Sequence, residues 1–191
     1  MLKVPMAIIT IGGNVGGGKT TLANKLAPLL GYEQLYIGGL FREIAAERGM
    51  TIEDFYIALK NDPELEREVD ERQRKLMQEK DNLVVQGRVA WYFAKESPFP
   101  VFNIFLAVEP ATGVMRTSQR EENAGRTLED LAHANALREK TERERYRALY
   151  GIEDFLDIAH YNFVLDTTEM SEDEVVKEML AKIKERMELD V

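Results

Sequence analysis

The chain has 191 residues, 45% of them hydrophobic and 31% charged, which predicts one folded domain with insertions rather than two full-sized domains. Its 34 acidic and 25 basic residues give a formal charge of -9, the wrong sign for a protein that holds nucleic acid through its overall field. The lack of cysteine excludes disulfide frameworks, thiolate zinc sites and cysteine nucleophiles, and no apolar stretch approaches the roughly 20 residues of a bilayer-spanning helix.

Five short apolar segments predict buried strands, with helical patterns between them. The first, residues 6–11, is rich in β-branched residues, and a helical pattern over residues 19–30 follows it and ends before Gly31. The other strand candidates are residues 34–37, 82–86, 101–108 and 162–165. This alternation predicts an α/β fold of three layers, in which a mostly parallel sheet is flanked by helices on both faces.

Charged helical patterns interrupt the alternation between the second and third strands. They cover residues 40–47, 51–59 and 63–79, and we interpret them as an excursion from the core. Near the C-terminus, Ser171 and Glu174 have capping-box spacing, which predicts a last helix that runs to about residue 187.

A glycine-rich segment lies between the first strand and the first helix. Residues 13–20 fit the pattern G-x-x-x-x-G-K-[ST] in the strand-to-helix context that this motif requires. Its glycines let backbone N–H groups point at a phosphate, its lysine can reach the β and γ phosphates, and its threonine can bind Mg²⁺. The segment predicts a site for ATP and Mg²⁺, with candidate ligands Gly13, Asn14, Gly16, Gly17, Gly18, Lys19, Thr20 and Thr21, and Thr20 as the metal ligand.

The loop alone does not distinguish a kinase from other nucleotide-binding proteins. The dinucleotide pattern G-x-G-x-x-G does not fit these glycines, and Leu26-Ala27 after Asn24-Lys25 breaks the guanine signature Asn-Lys-x-Asp. Residues 102–109 could mimic the acid-ending strand of a motor or transporter ATPase. The proline and the arginine-rich helices that follow favour the lid of a kinase.

Arginine is concentrated in one part of this acidic chain. Residues 116–147 hold seven of its fourteen arginines, which predicts a local anion. The alternative is that these arginines form i,i+4 pairs on exposed helices, with Glu121, Glu122, Glu139, Glu142 and Glu144 as partners. Both interpretations stay open for each arginine.

Further motifs follow the loop in a specific order. They are Gly38-Gly39-Leu40-Phe41-Arg42-Glu43, Asp62-Pro63-Glu64, Asp70-Glu71-Arg72-Gln73, Gly87-Arg88, Arg138-Glu139-Lys140-Thr141-Glu142 and Tyr150-Gly151-Ile152. With them the chain resembles the nucleoside monophosphate kinases, and among these the short cytidylate kinases typical of archaea. The resemblance implies a single P-loop kinase domain with a core (about 1–37, 81–110 and 155–191), a monophosphate-binding insertion (about 38–80) and a lid (about 111–154). It also implies transfer of the γ-phosphoryl group of ATP to CMP or dCMP.

The same resemblance implies roles for individual side chains. Arg42, Asp70 and Arg88 would bind the acceptor, and Arg116 and Arg120 would close over the ATP phosphates. Arg138 and Arg145 would reach the transferring group, so that the catalytic set is Lys19, Arg120, Arg138 and Arg145. Closing cations around the transferring charge is most of the catalysis in phosphoryl transfer.

Two departures from the family pattern leave alternatives open. Gln86 stands where the family has an acid before Gly-Arg, and Tyr36-Ile37-Gly38-Gly39 replaces Ser-x-Gly-Asp. The chain could therefore be a related P-loop kinase with another acceptor, or a nucleotide-binding regulatory protein with little turnover. In each case we expect a soluble cytoplasmic monomer or homodimer without a signal peptide, which binds small nucleotides and neither nucleic acid nor membranes.

Overall fold

Five parallel strands form one sheet in the order β2-β3-β1-β4-β5. The computed structural model describes residues 7–59 and 62–189. The strands are β1 (Ile8–Gly13), β2 (Glu33–Tyr36), β3 (Leu83–Gln86), β4 (Val101–Ala107) and β5 (Phe163–Asp166). The helices are α1 (Lys19–Leu30), α2 (Ile37–Glu47), α3 (Ile52–Leu59), α4 (Pro63–Glu79), α5 (Ala90–Ala94), α6 (Pro110–Ser118), α7 (Leu128–Tyr150) and α8 (Glu172–Leu189).

The central strands β1, β3 and β4 are buried between helices on both faces, as expected for a parallel sheet with crossover helices. The edge strands β2 and β5 were predicted to be buried, but they are largely exposed because each has a neighbouring strand on one side only. Leu26 and Met179, from α1 and α8, pack on one face, and Trp91 and Phe155 pack on the other. The predicted three-layer α/β fold is therefore confirmed. No helix within the described ranges has both the length and the apolar character to cross a membrane.

Strand register brings the candidate ligands to one edge of the sheet. Ile11, two residues before the end of β1, pairs with Gln86 of β3, and Gln86 pairs with Tyr36 of β2. Because all strands are parallel, the ends of β1, β2 and β3 meet at this edge, where open α/β sheets bind their ligands.

Helices α2, α3 and α4, which lie between β2 and β3, have an apolar cluster of their own. Phe41, Ile44, Phe55 and Val69 are all buried in it. The three helices thus pack mainly on one another, as expected for an insertion. The boundaries of the insertion and the lid remain predictions.

Sequence patterns placed most elements within a few residues. Helix α1 has the predicted bounds and ends at Gly31, whose φ of 71° is left-handed. The capping box is confirmed, because Ser171 N–H donates to Glu174 Oε2 at 2.9 Å and Glu174 N–H donates to Ser171 Oγ at 3.4 Å. Helix α2 begins three residues before the predicted start at Leu40, and Met6, the predicted start of the first strand, lies outside the described residues.

Candidate active site

The glycine-rich loop packs against β4 and α6. Gly13 has φ 130°, and a Cβ there would lie 2.2 Å from the carbonyl oxygen of Leu106. Gly16 has φ 80°, and its Cβ would lie 2.4 Å from the Cα of Gly113. Only glycine combines these backbone angles with such close approach, so the loop is held in shape by its neighbours.

The side chain of Lys19 folds back onto the glycine-rich loop that precedes it. Its Nζ donates to the carbonyl oxygens of Gly13, at 2.9 Å, and Asn14. Burial, helped by the charges of Arg88 and Arg138, lowers the pKa of Lys19 to about 7. A bound polyphosphate would reverse that shift, because it supplies the anion that the buried ammonium lacks.

Glu142 of α7 joins two of the predicted arginines beside this lysine. Its carboxylate lies 2.7 Å from Arg88 Nε and 3.0 Å from Arg138 Nε. The side chains of Arg88 and Glu142 are only 12% and 14% exposed. One carboxylate thus faces Lys19, Arg88 and Arg138, which leaves an excess of positive charge next to the phosphate loop.

A second group of polar side chains lies between α4 and α7. Glu66, Asp70 and Gln73 follow one another at i, i+4 and i+7 on the buried face of α4. The hydroxyl of Tyr150 lies 2.8 and 2.9 Å from the oxygens of Asp70, and Gln73 Nε2 donates to Asp70 Oδ1 at 3.2 Å. Burial raises the pKa of Asp70 to about 6.

These side chains line a pocket that Arg88 also reaches. Arg145 forms an ion pair with Glu66 there, and its guanidinium lies 5.7 Å from the centre of the Phe41 ring. No described residue accepts a hydrogen bond from the buried Nε of Arg145. A buried donor without an acceptor is expected where a ligand completes the site.

Gln86 and Thr20 meet at the start of α1. Gln86 Nε2 donates to Thr20 Oγ1 at 2.9 Å, and no described residue donates to the buried Gln86 Oε1. Thr21 follows, half-buried, in the first turn of α1. Within residues 7–59 and 62–189, no three acidic or histidine side chains cluster as a metal site.

The remaining predicted arginines differ in their surroundings. Arg42 is exposed and lies over the ring of Tyr36, 5.6 Å from its centre. Arg120 is exposed beside Glu122, at 3.6 Å, and its charge contributes to the low pKa of Lys19.

Arg116 lies apart from the other arginines. It donates to Thr167 Oγ1 and to the carbonyl oxygens of Thr167, Thr168 and Met170, at 2.6 to 3.3 Å. Contact with ATP phosphates would require Arg116 to leave these acceptors, and that role stays a prediction.

Several residues of the site were not among the predicted ones. Glu142 stood in a family motif and was otherwise considered only as a surface partner of arginine, Gln73 and Tyr150 stood in family motifs without a predicted role, and Glu66 had no predicted role. The spacing of Glu66, Asp70 and Gln73 was a usable signal, since it puts three polar side chains on one helix face.

Solved structures with a similar fold include small-molecule kinases. Shikimate kinase from Bacteroides thetaiotaomicron superposes with a TM-score of 0.62 at 16% identity, covering 96% of this chain and 99% of the other. A gluconokinase from Sinorhizobium meliloti gives a TM-score of 0.61 at 15% identity, covering 98% and 96%. The fold is therefore that of P-loop kinases.

Sequence relatives narrow the family. Proteins named cytidylate kinase are 36% identical in Thermoplasma acidophilum (96% of this chain, 95% of the relative) and 39% identical in Pyrococcus furiosus (88% and 83%). A relative of the same name in Methanopyrus kandleri is 36% identical and covers 92% of both chains. The model of the cytidylate kinase-like family matches residues 8–169, and the chain belongs to that family.

Proposed function

We propose that this protein is an ATP-dependent nucleoside monophosphate kinase that transfers the γ-phosphoryl group of ATP to CMP or dCMP. The observation that carries the proposal is the position of Lys19, Arg88 and Arg138, which interact where the phosphate loop meets the pocket of Asp70. Cations at such a junction can hold a donor and an acceptor phosphate in line. Relatives named cytidylate kinase support CMP as the acceptor.

The chain's own residues supply the electrostatics of the transfer. Backbone N–H groups of residues 13–18, with Lys19, hold the ATP phosphates, while Arg42 and Arg88 hold the acceptor phosphate. An oxygen of the acceptor phosphate attacks the γ phosphorus, the bond from this phosphorus to the bridging oxygen breaks, and ADP leaves. Arg120, Arg138 and Arg145 offset the charge of the transferring group.

Exchange of partners accompanies binding in this proposal. Arg138 and Arg145 are paired with Glu142 and Glu66 in the structure. A phosphate dianion offers each guanidinium two negative charges and bidentate hydrogen bonds, whereas Glu142 divides a single charge between two arginines and Glu66 offers a single charge to Arg145. These arginines therefore turn toward phosphate as the lid (about 111–154) closes on the insertion (about 38–80).

The acceptor's base binds beside Asp70 in this proposal. Asp70, Gln73 and Tyr150 offer both hydrogen-bond donors and acceptors in a pocket that apolar and charged side chains line together. That combination suits the edge of a pyrimidine, which carries both kinds of group.

Mg²⁺ is included because the residues at the start of α1 fit it. Thr20 Oγ1 is a suitable ligand, and the unpartnered Gln86 Oε1 can accept a hydrogen bond from a metal-bound water. When bound, the ion would offset the negative charge of the ATP phosphates.

A panel of acceptors tests the function. ADP release would be measured with ATP and CMP, dCMP, UMP, AMP, GMP or shikimate, and we expect the highest kcat/KM with CMP or dCMP. Lys19→Ala is the control for the phosphate loop and should lower kcat by about 10³-fold or more while it leaves the fold intact. Higher kcat/KM with another acceptor would overturn the acceptor assignment, and ATP binding without turnover would make the chain a regulatory nucleotide-binding protein.

A further inference from the structure

A tyrosine occupies the ligand-binding edge of the sheet next to the phosphate loop. Tyr36 is the last residue of β2 and pairs in register with Gln86, which contacts Thr20 of the loop. Its side chain is 39% exposed. The ring therefore lies at the same edge of the sheet as the phosphate loop, one strand further from it than Gln86.

Two glycines make room for this ring on the first turn of α2. A Cβ at Gly38 would lie 2.7 Å from Tyr36 Cζ, and a Cβ at Gly39 would lie 3.3 Å from Tyr36 Cδ1. Neither glycine has a positive φ, so both could be alanine as far as the backbone is concerned. The space that they leave is therefore used by the ring and not by a special turn.

The ring supports Arg42 one turn further along α2. The guanidinium carbon of Arg42 lies 5.6 Å from the ring centre, within the range of a cation–π contact. No described carboxylate lies within ion-pairing distance of Arg42, whereas Arg88 and Arg138 share Glu142, and Arg145 pairs with Glu66. The ring holds the cation without neutralising it, so its full charge remains for an anionic ligand.

We propose that Tyr36 is a positioning residue for the acceptor, which holds Arg42 in the orientation that binds the dianionic phosphate of the nucleoside monophosphate. This inference rests on the proposed contact between Arg42 and that phosphate. It also explains why Tyr36 and Gly39 replace the serine and the acid of the family pattern together, because the ring of Tyr36 lies against Gly39.

Steady-state kinetics and calorimetric binding of CMP test the proposal. Tyr36→Ala should raise KM and Kd for CMP by about 3- to 20-fold and leave KM for ATP within about twofold, because a cation–π contact has that strength. Tyr36→Phe keeps the ring and should stay within about twofold of wild type. Arg42→Ala should raise KM and Kd for CMP more than Tyr36→Ala does.

A matched pair of glycine variants moves the ring without removing it. Gly38→Ala places a methyl group 2.7 Å from the far end of the ring, so it should displace the ring and raise KM for CMP as Tyr36→Ala does. Gly39→Ala meets the ring at 3.3 Å and should have little effect. Both changes favour helix, so a rise in KM with Gly38→Ala would not come from unfolding.

The double variant Tyr36→Ala/Arg42→Ala decides between outcomes. If Tyr36 acts through Arg42, the double variant should match Arg42→Ala within about twofold. Additive effects, or wild-type KM and Kd for CMP in both Tyr36→Ala and Gly38→Ala, would overturn the inference and leave the role of Arg42 intact. Wild-type acceptor binding in Arg42→Ala would instead overturn the proposed phosphate contact itself, and the positioning role with it.

Discussion

Of the residues that depart from the family pattern, Gln86 is the one that contacts the phosphate loop. Its amide nitrogen donates to Thr20 Oγ1, and its buried Oε1 has no donor among the described residues. An acid here would accept hydrogen bonds from metal-bound water and also offset the charge of the metal. An amide oxygen can accept the hydrogen bonds but cannot offset the charge. We therefore expect this protein to bind magnesium weakly, which would appear as a high half-saturating concentration.

Gln86→Glu should therefore bind magnesium more tightly than wild type. The expected change is a half-saturating concentration lower by about tenfold, because a carboxylate next to the metal's water shell adds charge as well as orientation. Turnover should rise as well. The measurement is a magnesium titration of ADP release at saturating ATP and CMP.

Gln34→Glu is the matched control for this change. Gln34 lies on β2, and its exposed side chain donates to Asn24 Oδ1, away from the phosphate loop. The Gln34→Glu substitution adds the same negative charge to the protein as Gln86→Glu, and it should leave the magnesium titration unchanged. Unchanged or weaker magnesium binding in Gln86→Glu would mean that Gln86 contacts the acceptor instead.

The site was predictable where one motif specifies it and not where distant segments meet. Lys19 and Thr20 belong to a local pattern with its own mechanism, so the sequence alone predicts them as ligands. Glu142 takes its place from the approach of α7 to Arg88, 54 positions earlier in the chain, and no local pattern records that approach. Tyr36 and Arg42 are close to each other in the sequence, yet their contact depends on the orientation of the ring, which packing determines.

Helix α7 has two parts with different packing. Tyr146 is buried, and Tyr150 packs against the same apolar cluster as Phe155, so the C-terminal part is anchored to the core. Nearly every residue from 120 to 130 is exposed. The arginines in this part of the chain can exchange carboxylate partners for phosphates when nucleotides bind, which is a suitable arrangement for a lid.

Hydrogen exchange should detect closure of this segment. Amides of residues 120–142 should exchange more slowly when a non-hydrolysable ATP analogue and CMP are bound together, by about tenfold or more for a closure worth about 1.4 kcal/mol. Each ligand alone should give less protection, because the arginines need both phosphates as partners. Strand β4 serves as an internal reference that should not change, and no added protection with both ligands would contradict closure.

Whether a segment is a helix or a strand was predictable from its hydrophobic periodicity and from the glycines at its ends. Packing explains the segments for which this was not so. Helix α1 follows a glycine-rich loop and ends at Gly31, so both of its ends carry a local signal. The predicted start of α2 at Leu40 was wrong, because Gly38 and Gly39, which are weak helix formers, are helical here beneath the ring of Tyr36. Helix α5 has five residues and is buried against the sheet, so tertiary packing and not periodicity determines it.

The molecule as a whole is negatively charged, whereas the pocket between α4 and α7 is lined by both arginines and buried acids. Asp70 ties the α4 insertion to the end of α7 through Tyr150, and Glu66 does so through Arg145. The stability of the assembled fold therefore depends on the protonation of a buried carboxyl between these elements.

Asp70→Asn should change the pH dependence of stability. Burial raises the pKa of Asp70 in the folded protein to about 6 from an ordinary value of 3.8. The folded state thus holds a proton that the unfolded state releases between these values, so this group's contribution to the free energy of unfolding falls as pH rises from about 4 to about 6. An asparagine can still accept from Tyr150 and does not titrate, so Tm of Asp70→Asn minus that of wild type should increase over this range.

Calorimetric melting at pH 3, 4, 5, 6 and 7 measures this difference, and Asp166→Asn is a control of opposite sign whose change falls mainly below pH 4. Hydrogen bonds from the hydroxyl and the N–H of Thr168 lower the pKa of the exposed Asp166, so its carboxylate stabilises the folded state above its usual pKa, and that contribution is lost as pH falls. The Tm of Asp166→Asn minus that of wild type should therefore decrease as pH rises. A difference for Asp70→Asn that stays constant from pH 4 to pH 7 would mean that Asp70 is ionised in the folded protein throughout. The pocket would then present a carboxylate, not a protonated acid, to the acceptor's base.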